Sequence, residues 1–126
     1  MMVRPLPILA VVLLLAAAPV RAQQETPAPY DATLQRFSEI LGALSYLRGV
    51  CGFNDAQTWR TQMQALVDAE TPKGERRGKM VAAFNRGYRI FQQSYRTCTP
   101  AAAEVIRRYL DEGSKIAREV TARYAN

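Results

Sequence analysis

Apolar side chains recur at three- and four-residue intervals along residues 31–126, which is the spacing that an amphipathic helix produces. Four such stripes follow one another, and no segment alternates in the way of a half-buried strand. The pattern therefore predicts an all-α fold, a small antiparallel four-helix bundle with short connections. The stripes contain, in chain order, Leu34, Phe37, Ile40, Leu41, Leu44 and Leu47; Ala56, Trp59, Met63 and Leu66; Met80, Phe84, Tyr88, Phe91, Tyr95 and Cys98; and Val105, Ile106, Tyr109, Gly113, Ile116, Val120 and Tyr124.

Residues between the stripes predict where the helices begin and end. Asp31, Asn54 and Thr99 precede the first, second and fourth stripes, and all three are residue types that cap helix N-termini. Gly49 and Gly52 bracket the expected end of the first helix. The third helix is expected to begin after Gly74 and to continue to Thr99.

The first 22 residues have the layout of a secretory signal peptide. Arg4 precedes an almost wholly apolar run from Leu6 to Ala18, and Val20-Arg21-Ala22 forms a small-residue cleavage site. The alternative is an uncleaved membrane anchor, but the run has about 13 residues, whereas a bilayer span needs roughly 20. We expect Sec-type export to the periplasm, no membrane-spanning segment after cleavage, a flexible leader over residues 23–30 and a helical bundle domain over residues 31–126.

Cys51 and Cys98 lie at the predicted C-terminal ends of the first and third helices, and helical spacing places both on the apolar faces. These two helices run parallel in an up-down-up-down bundle, so their C-terminal ends meet at the same pole. Because export permits disulfides, the sequence predicts a structural Cys51–Cys98 bond. The alternative is a pair of free, buried cysteines. No C-x-x-C motif indicates a redox-active pair.

Four segments stand out along the chain: Leu41 to Cys51, Trp59-Arg60 with Met63, Phe84 to Tyr88, and Tyr95 to Pro100. Together they resemble an uncharacterised family of short exported alphaproteobacterial proteins with two well-separated cysteines. The resemblance covers nearly all of the chain after the signal peptide, and it implies a periplasmic location and one disulfide. It implies no activity, because that family has no established function.

Composition narrows the chemistry that these helices can perform. The 126 residues include 17 Lys and Arg against 11 Asp and Glu, a net charge of +6, and no histidine. Without histidine there is no His-based triad, no His general base and none of the commonest metal ligand. Two cysteines alone do not complete a four-ligand zinc site. We therefore expect a non-enzymatic protein that uses no cofactor and no metal ion.

The third helix carries a basic stripe opposite its apolar face. Lys79, Arg86, Arg89 and Arg96 belong to it, and the sequence from Lys79 to Cys98 contains no acidic residue. Such a stripe suits an anionic envelope component or protein, and arginine suits bidentate contact with phosphate or carboxylate. The alternative is an ordinary solvated helix face. Export argues against nucleic acid as a partner.

Arg48 is a candidate for a buried ion pair because it falls within the apolar arc of the first helix. A buried arginine requires a partner. The candidates are Glu70, Glu112 or the carbonyl groups at the end of a neighbouring helix. The alternative is a side chain that extends from the end of the bundle into solvent.

Aromatic residues on the apolar faces allow two interpretations. Trp59 and four tyrosines, Tyr88, Tyr95, Tyr109 and Tyr124, either form a tyrosine-rich core or line an amphipathic ligand groove between helices. Tyr46 falls outside the apolar arc of its helix and is expected to be exposed.

Two classes of function follow from these features. The first is a non-enzymatic envelope interaction protein that docks through the basic third helix. The alternative is a small periplasmic chaperone or stress protein, by architectural analogy with small helical acid chaperones. A ligand carrier would require a real groove between helices.

Overall fold

The computed structural model describes residues 30–70 and 74–124, and it is helical throughout these ranges apart from short connections. The four helices are α1 (Asp31–Val50), α2 (Ala56–Glu70), α3 (Glu75–Ser94) and α4 (Pro100–Tyr124). The predicted all-α class and the number of helices are confirmed for this part of the chain. The predicted signal peptide and nearly all of the predicted leader lie outside the described residues.

The helix α1 lies at the centre of the fold and packs against the other three. Of its residues only Ala32 and Gly49 are exposed. The topology is up-down-up-down: Asp31 pairs with Arg76 near the starts of α1 and α3, which are therefore parallel. In the described residues, no Cα atom of α4 comes within 8 Å of one of α2 or α3. The bundle is thus three helices around a central one, not four equivalent helices.

Two glycines bring α1 and α3 into direct backbone contact. A Cβ atom at Gly42 would lie 1.9 Å from the carbonyl oxygen of Phe84, and one at Gly87 would lie 2.1 Å from that of Glu39. Since real Cβ atoms do not approach oxygen this closely, only glycine permits the observed separation. The contact places the two parallel helices in a fixed register.

The core consists of two apolar clusters on either side of α1. One lies towards α4 and the other towards α2 and α3, and Phe37 and Trp59 pack against both. The buried members of the first are Ile40, Ala43, Leu44, Leu47, Ala102, Ile106 and Ile116, and those of the second are Leu34, Leu41, Met63, Val67 and Met80.

The sulfur atoms of Cys51 and Cys98 are 2.07 Å apart, so the predicted disulfide pairing is confirmed. The expected placement of Cys98 on the apolar face of α3 is wrong, because α3 ends at Ser94 and Cys98 is exposed in the connection to α4. Tyr95 takes an extended conformation that ends the helix. A cross-link over 47 residues stabilises the fold by about 4 kcal/mol in the loop-entropy description.

The structure confirms one of the three predicted N-caps and corrects the other two. Thr99 caps α4, since its hydroxyl accepts a hydrogen bond from the backbone N–H of Ala102 at 3.1 Å. Asp31 is wrong as a cap: it is the first residue of α1, and its carboxylate binds Arg76 instead. Asn54 is also misplaced by one residue, because Asp55 directly precedes α2 and its carbonyl accepts the N–H of Thr58.

The glycine contact gives a matched pair of substitutions in α3. Gly87→Ala should destabilise the fold by about 3 kcal/mol, because the new methyl group forces the backbones of α1 and α3 apart. Gly78→Ala adds the same methyl group where no atom lies within 4 Å, and should stabilise α3 by about 0.5–1 kcal/mol. Denaturant unfolding of both variants measures the difference. Equal stability of the two variants would contradict the backbone contact.

Candidate functional site

The α3 basic face comprises Lys79, Arg86, Arg89 and Arg96. Two of these four residues lie near carboxylates, which the sequence of α3 alone does not suggest. Lys79 pairs with Glu75 on its own helix at 3.1 Å. Arg86 lies 3.6 Å from Glu39 of α1, although about half of its side chain stays exposed. The expectation of a wholly unneutralised stripe is therefore wrong. The sequence shows no acid near Arg86, because Glu39 reaches it across the α1–α3 contact.

The remaining two cations of the α3 basic face are exposed. Within the described part of the chain, neither Arg89 nor Arg96 has a carboxylate at ion-pair distance. Arg96 lies beyond the end of α3, in the connection that contains Cys98. Ile90, beside Arg89, is 44% exposed. This end of α3 therefore presents two available guanidinium groups and an apolar side chain.

Arg48 forms the predicted ion pair, but with a partner that the sequence did not indicate. Its guanidinium contacts the Oδ2 atom of Asp55 at 2.6–2.8 Å, and the two side chains are 18% and 30% exposed. It also lies over the ring of Phe53, 4.1 Å from the centroid, and within 5.8 Å of the Trp59 ring centroid. Glu112 as its candidate partner is wrong, because that carboxylate binds Arg36, and the side chain of Glu70, the other candidate, lies outside the described residues.

A turn at the end of α1 explains this pairing. The N–H of Phe53 binds the carbonyl of Arg48 at 2.8 Å, and the N–H of Gly52 binds that of Gly49 at 3.1 Å. This is a Schellman motif, with Gly52 at a positive φ of 85°. The turn folds the chain back over the end of α1, which places Phe53 and Asp55 against Arg48. The hydrogen bond from Arg48 holds the pKa of Asp55 below its ordinary value, against the opposing effect of burial.

A second ion pair, between Arg36 of α1 and Glu112 of α4, is bidentate. The Nε and Nη2 atoms of Arg36 donate to the two carboxylate oxygens of Glu112 at 2.7 and 2.9 Å. The Arg36 guanidinium also lies 5.0 Å from the ring centroid of Tyr109. This hydrogen bonding raises the pKa of Arg36 and lowers that of Glu112. Helical spacing alone did not reveal the pair, because its members are 76 residues apart.

An uncharged groove of about 230 Å³ runs between α2 and α4, with α1 as its floor. Its aromatic lining residues are Phe37, Trp59 and Tyr109, and Thr58, Gln62 and Ser114 supply polar groups. The two walls are held to α1 by the ion pairs just described, Arg48–Asp55 before α2 and Arg36–Glu112 on α4. A groove of the kind that a ligand carrier would need therefore exists.

Tyr46 and Tyr109 pack against other aromatic rings, and Tyr109 also lines the α2–α4 groove. Tyr46 is not exposed as expected: its ring packs edge-on against Tyr88 at 5.4 Å, and its hydroxyl donates to the carbonyl of Tyr95. Tyr109 packs edge-on against Phe91 at 5.5 Å, which joins α4 to α3 through side chains. The side chain of Tyr124 lies outside the described residues.

Residues 30–70 and 74–124 contain no group of three or more His, Cys, Asp or Glu side chains that could hold a metal ion. In the same ranges, no helix combines the length and the apolar character that crossing a membrane requires.

Comparison with known proteins identifies a family but no relative of known activity. A family described as "Protein of unknown function (DUF2385)" matches residues 29–124, which is nearly the whole described part of the chain. No curated protein and no solved structure matches the sequence or the fold. The resemblance to an uncharacterised family is confirmed to this extent, while bacterial origin and export stay predictions.

The Arg36–Glu112 pair predicts a specific dependence of stability on pH. Because the folded protein lowers the pKa of Glu112, the pair contributes stability above the ordinary glutamate value of about 4.3, and this contribution is lost as pH falls through the folded-state pKa. Glu112→Gln should therefore be less stable than the parent protein at pH 7, and the difference should vanish in acid. Thermal unfolding between pH 7 and pH 2 measures it.

Asp111→Asn is the control for this prediction, since it removes the same charge from the neighbouring exposed position. Its stability difference from the parent should be small and nearly independent of pH. A Glu112→Gln difference that persists undiminished at pH 2 would contradict the assigned role of the ion pair.

Proposed function

We propose a non-enzymatic, exported interaction protein for this chain, which belongs to the DUF2385 family of proteins of unknown function. It docks on an anionic component of the cell envelope through the α3 basic face. The absence of histidine from the sequence argues for binding rather than catalysis. The pairing of Cys51 with Cys98 supports an oxidising compartment such as the periplasm.

The observation that carries this proposal is the exposure of Arg89 and Arg96 without a carboxylate partner among the described residues. An exposed arginine keeps its donors available for bidentate contact with phosphate or carboxylate oxygens. Arg86 adds a third guanidinium that a stronger anion can draw away from Glu39, since that contact is long and half-exposed. The three arginines thus form the docking surface, and Lys79 is secondary.

The packing of α3 supports a docking role in a second way. The backbone contact at Gly42 and Gly87 holds the middle of α3 directly against α1. The disulfide then fixes the connection that carries Arg96, two residues before Cys98. Arginines on a rigid support lose less conformational freedom when they bind than arginines on a mobile loop.

A chaperone or stress role is the second candidate, and the two ion pairs at the α2–α4 groove favour it. Asp55 and Glu112 both have lowered pKa values, and each belongs to a pair that holds one wall of the groove to α1. Strong acid would neutralise both carboxylates, loosen both walls and expose the aromatic lining. An acid-activated chaperone works by exposing apolar surface in this way.

Acid behaviour distinguishes the two candidates. A chaperone should bind an apolar fluorescent dye at pH 2–3 and keep a denatured client protein from aggregating there. A docking protein should lack client protection at any pH, even if its groove loosens.

Replacement of Arg86, Arg89 and Arg96 together by Gln tests the docking role. The variant should fold as the parent does, because all three side chains point away from the core. Its retention on isolated cell envelopes at low ionic strength should fall about tenfold or more, and retention of the parent should weaken with added salt. Cosedimentation measures both.

The matched control replaces Arg108, Lys115 and Arg118 on the exposed face of α4 by Gln, which removes the same three charges. Docking through α3 predicts that this control keeps most of the parent's retention. Equal losses in the two variants would show that net charge alone governs binding, and equal retention of all three proteins would rule the docking face out.

A further inference from the structure

A second groove, between α2 and α3, differs from the α2–α4 groove in its charge. It has a volume of about 180 Å³ and an apolar lining formed by Met63, Val67, Val81 and Phe84. Met63 and Val67 are buried at its base, while Val81 is 39% exposed at its edge. An arginine borders the groove towards each end, Arg60 on α2 and Arg77 on α3.

The two arginines are not equivalent. Arg77 shares its charge with Asp68, which lies 3.4 Å away. Arg60 has no carboxylate at ion-pair distance among the described residues, and its guanidinium lies over the ring of Tyr88, 6.0 Å from the centroid. The Arg60 end of the α2–α3 groove therefore carries an uncompensated positive charge, whereas the charge at the Arg77 end is largely neutralised by Asp68.

We infer that the α2–α3 groove binds a small amphiphilic anion, a carboxylate with an unbranched hydrocarbon chain. The carboxylate contacts Arg60, and the chain lies along Met63, Val67, Phe84 and Val81. The charge of the groove selects an anion, and its lining selects an apolar body. At about 180 Å³ the groove is smaller than a typical small-molecule pocket, which points to a small ligand with a medium-length chain.

The opposed directions of α2 and α3 set the orientation of the ligand. Arg60 lies near Tyr88, and Arg77 lies near Asp68, so the two arginines are separated by about three turns of α3, roughly 16 Å. A chain that starts at Arg60 therefore ends before or near Val81, short of Arg77. The Arg77–Asp68 pair lies beyond the end of such a chain and is not part of the anion site.

This site is separate from the proposed docking surface. None of Arg86, Arg89 and Arg96 lines the groove, and Arg60 is not part of the α3 basic face. Failure of envelope docking would leave the ligand site intact, and failure of ligand binding would leave the docking proposal intact.

Octanoate is the probe for the test, and Trp59 is the reporter. Trp59 is the chain's single tryptophan, directly precedes Arg60 and packs against the cluster that contains Met63 and Val67. Because it also lines the α2–α4 groove, the Arg60→Gln and Val81→Gln variants decide which groove holds the ligand. Titration of the full chain with octanoate should change its fluorescence and saturate. Octanol, which lacks the charge, and acetate, which lacks the chain, should each bind about tenfold more weakly or not at all.

Arg60→Gln should weaken octanoate binding about tenfold or more, because it removes a charge-assisted contact at an exposed position without touching the core. Arg118→Gln removes the same charge from α4, outside the groove, and should leave octanoate binding unchanged. Val81→Gln should weaken the binding of octanoate but not that of acetate, because it reduces the apolar surface of the groove and leaves Arg60 unchanged.

Three results would overturn the inference. One is the absence of saturable octanoate binding to the parent. Another is equal binding of octanol and octanoate, which would assign the site to the uncharged α2–α4 groove. The third is octanoate binding to Arg60→Gln that equals that of Arg118→Gln.

Discussion

The direct contact between the backbones of α1 and α3, at Gly42 and Gly87, is the constraint on which the rest of the structure depends. It sets two parallel helices at a separation that no side chain larger than hydrogen allows. The register that follows brings Arg76 to Asp31 at one end and Cys98 to Cys51 at the other. The ion pair and the disulfide therefore fix a register that the glycines have already selected.

The remaining two helices are attached to this pair less closely, and the grooves result from that difference. In the described residues, α2 and α4 each pack on α1, but no Cα atom of one lies within 8 Å of a Cα atom of the other. The ion pairs Arg48–Asp55 and Arg36–Glu112 hold them in place. Because α1 packs against all three other helices, its apolar surface forms the floor of the open α2–α4 groove.

Periodicity was sufficient to predict the helices and their number. The alternation of helix directions was sufficient to predict the disulfide, although Cys98 lies beyond the end of α3 and not on its apolar face. The same reasoning failed at the connections. Asp55 could not be foreseen as the partner of Arg48, because the Schellman turn at Gly52 reverses the chain in a way that no helical wheel represents. Arg36–Glu112 and Arg86–Glu39 were missed because both join different helices. Gly42 and Gly87 have no apolar side chain, so a hydrophobic pattern along the sequence could not indicate the contact that they make.

Native-state hydrogen exchange tests the central role of the α1–α3 contact most directly. Amides in the middle of α1 and α3, around Gly42 and Gly87, should exchange most slowly and only through global unfolding. Amides of α2 and α4 should exchange faster, through local opening of helices that pack less closely than α1 and α3 do. The account is contradicted if α4 or α2 is protected as strongly as α1 while α3 exchanges early, because α3 would then not be the partner around which the fold is built.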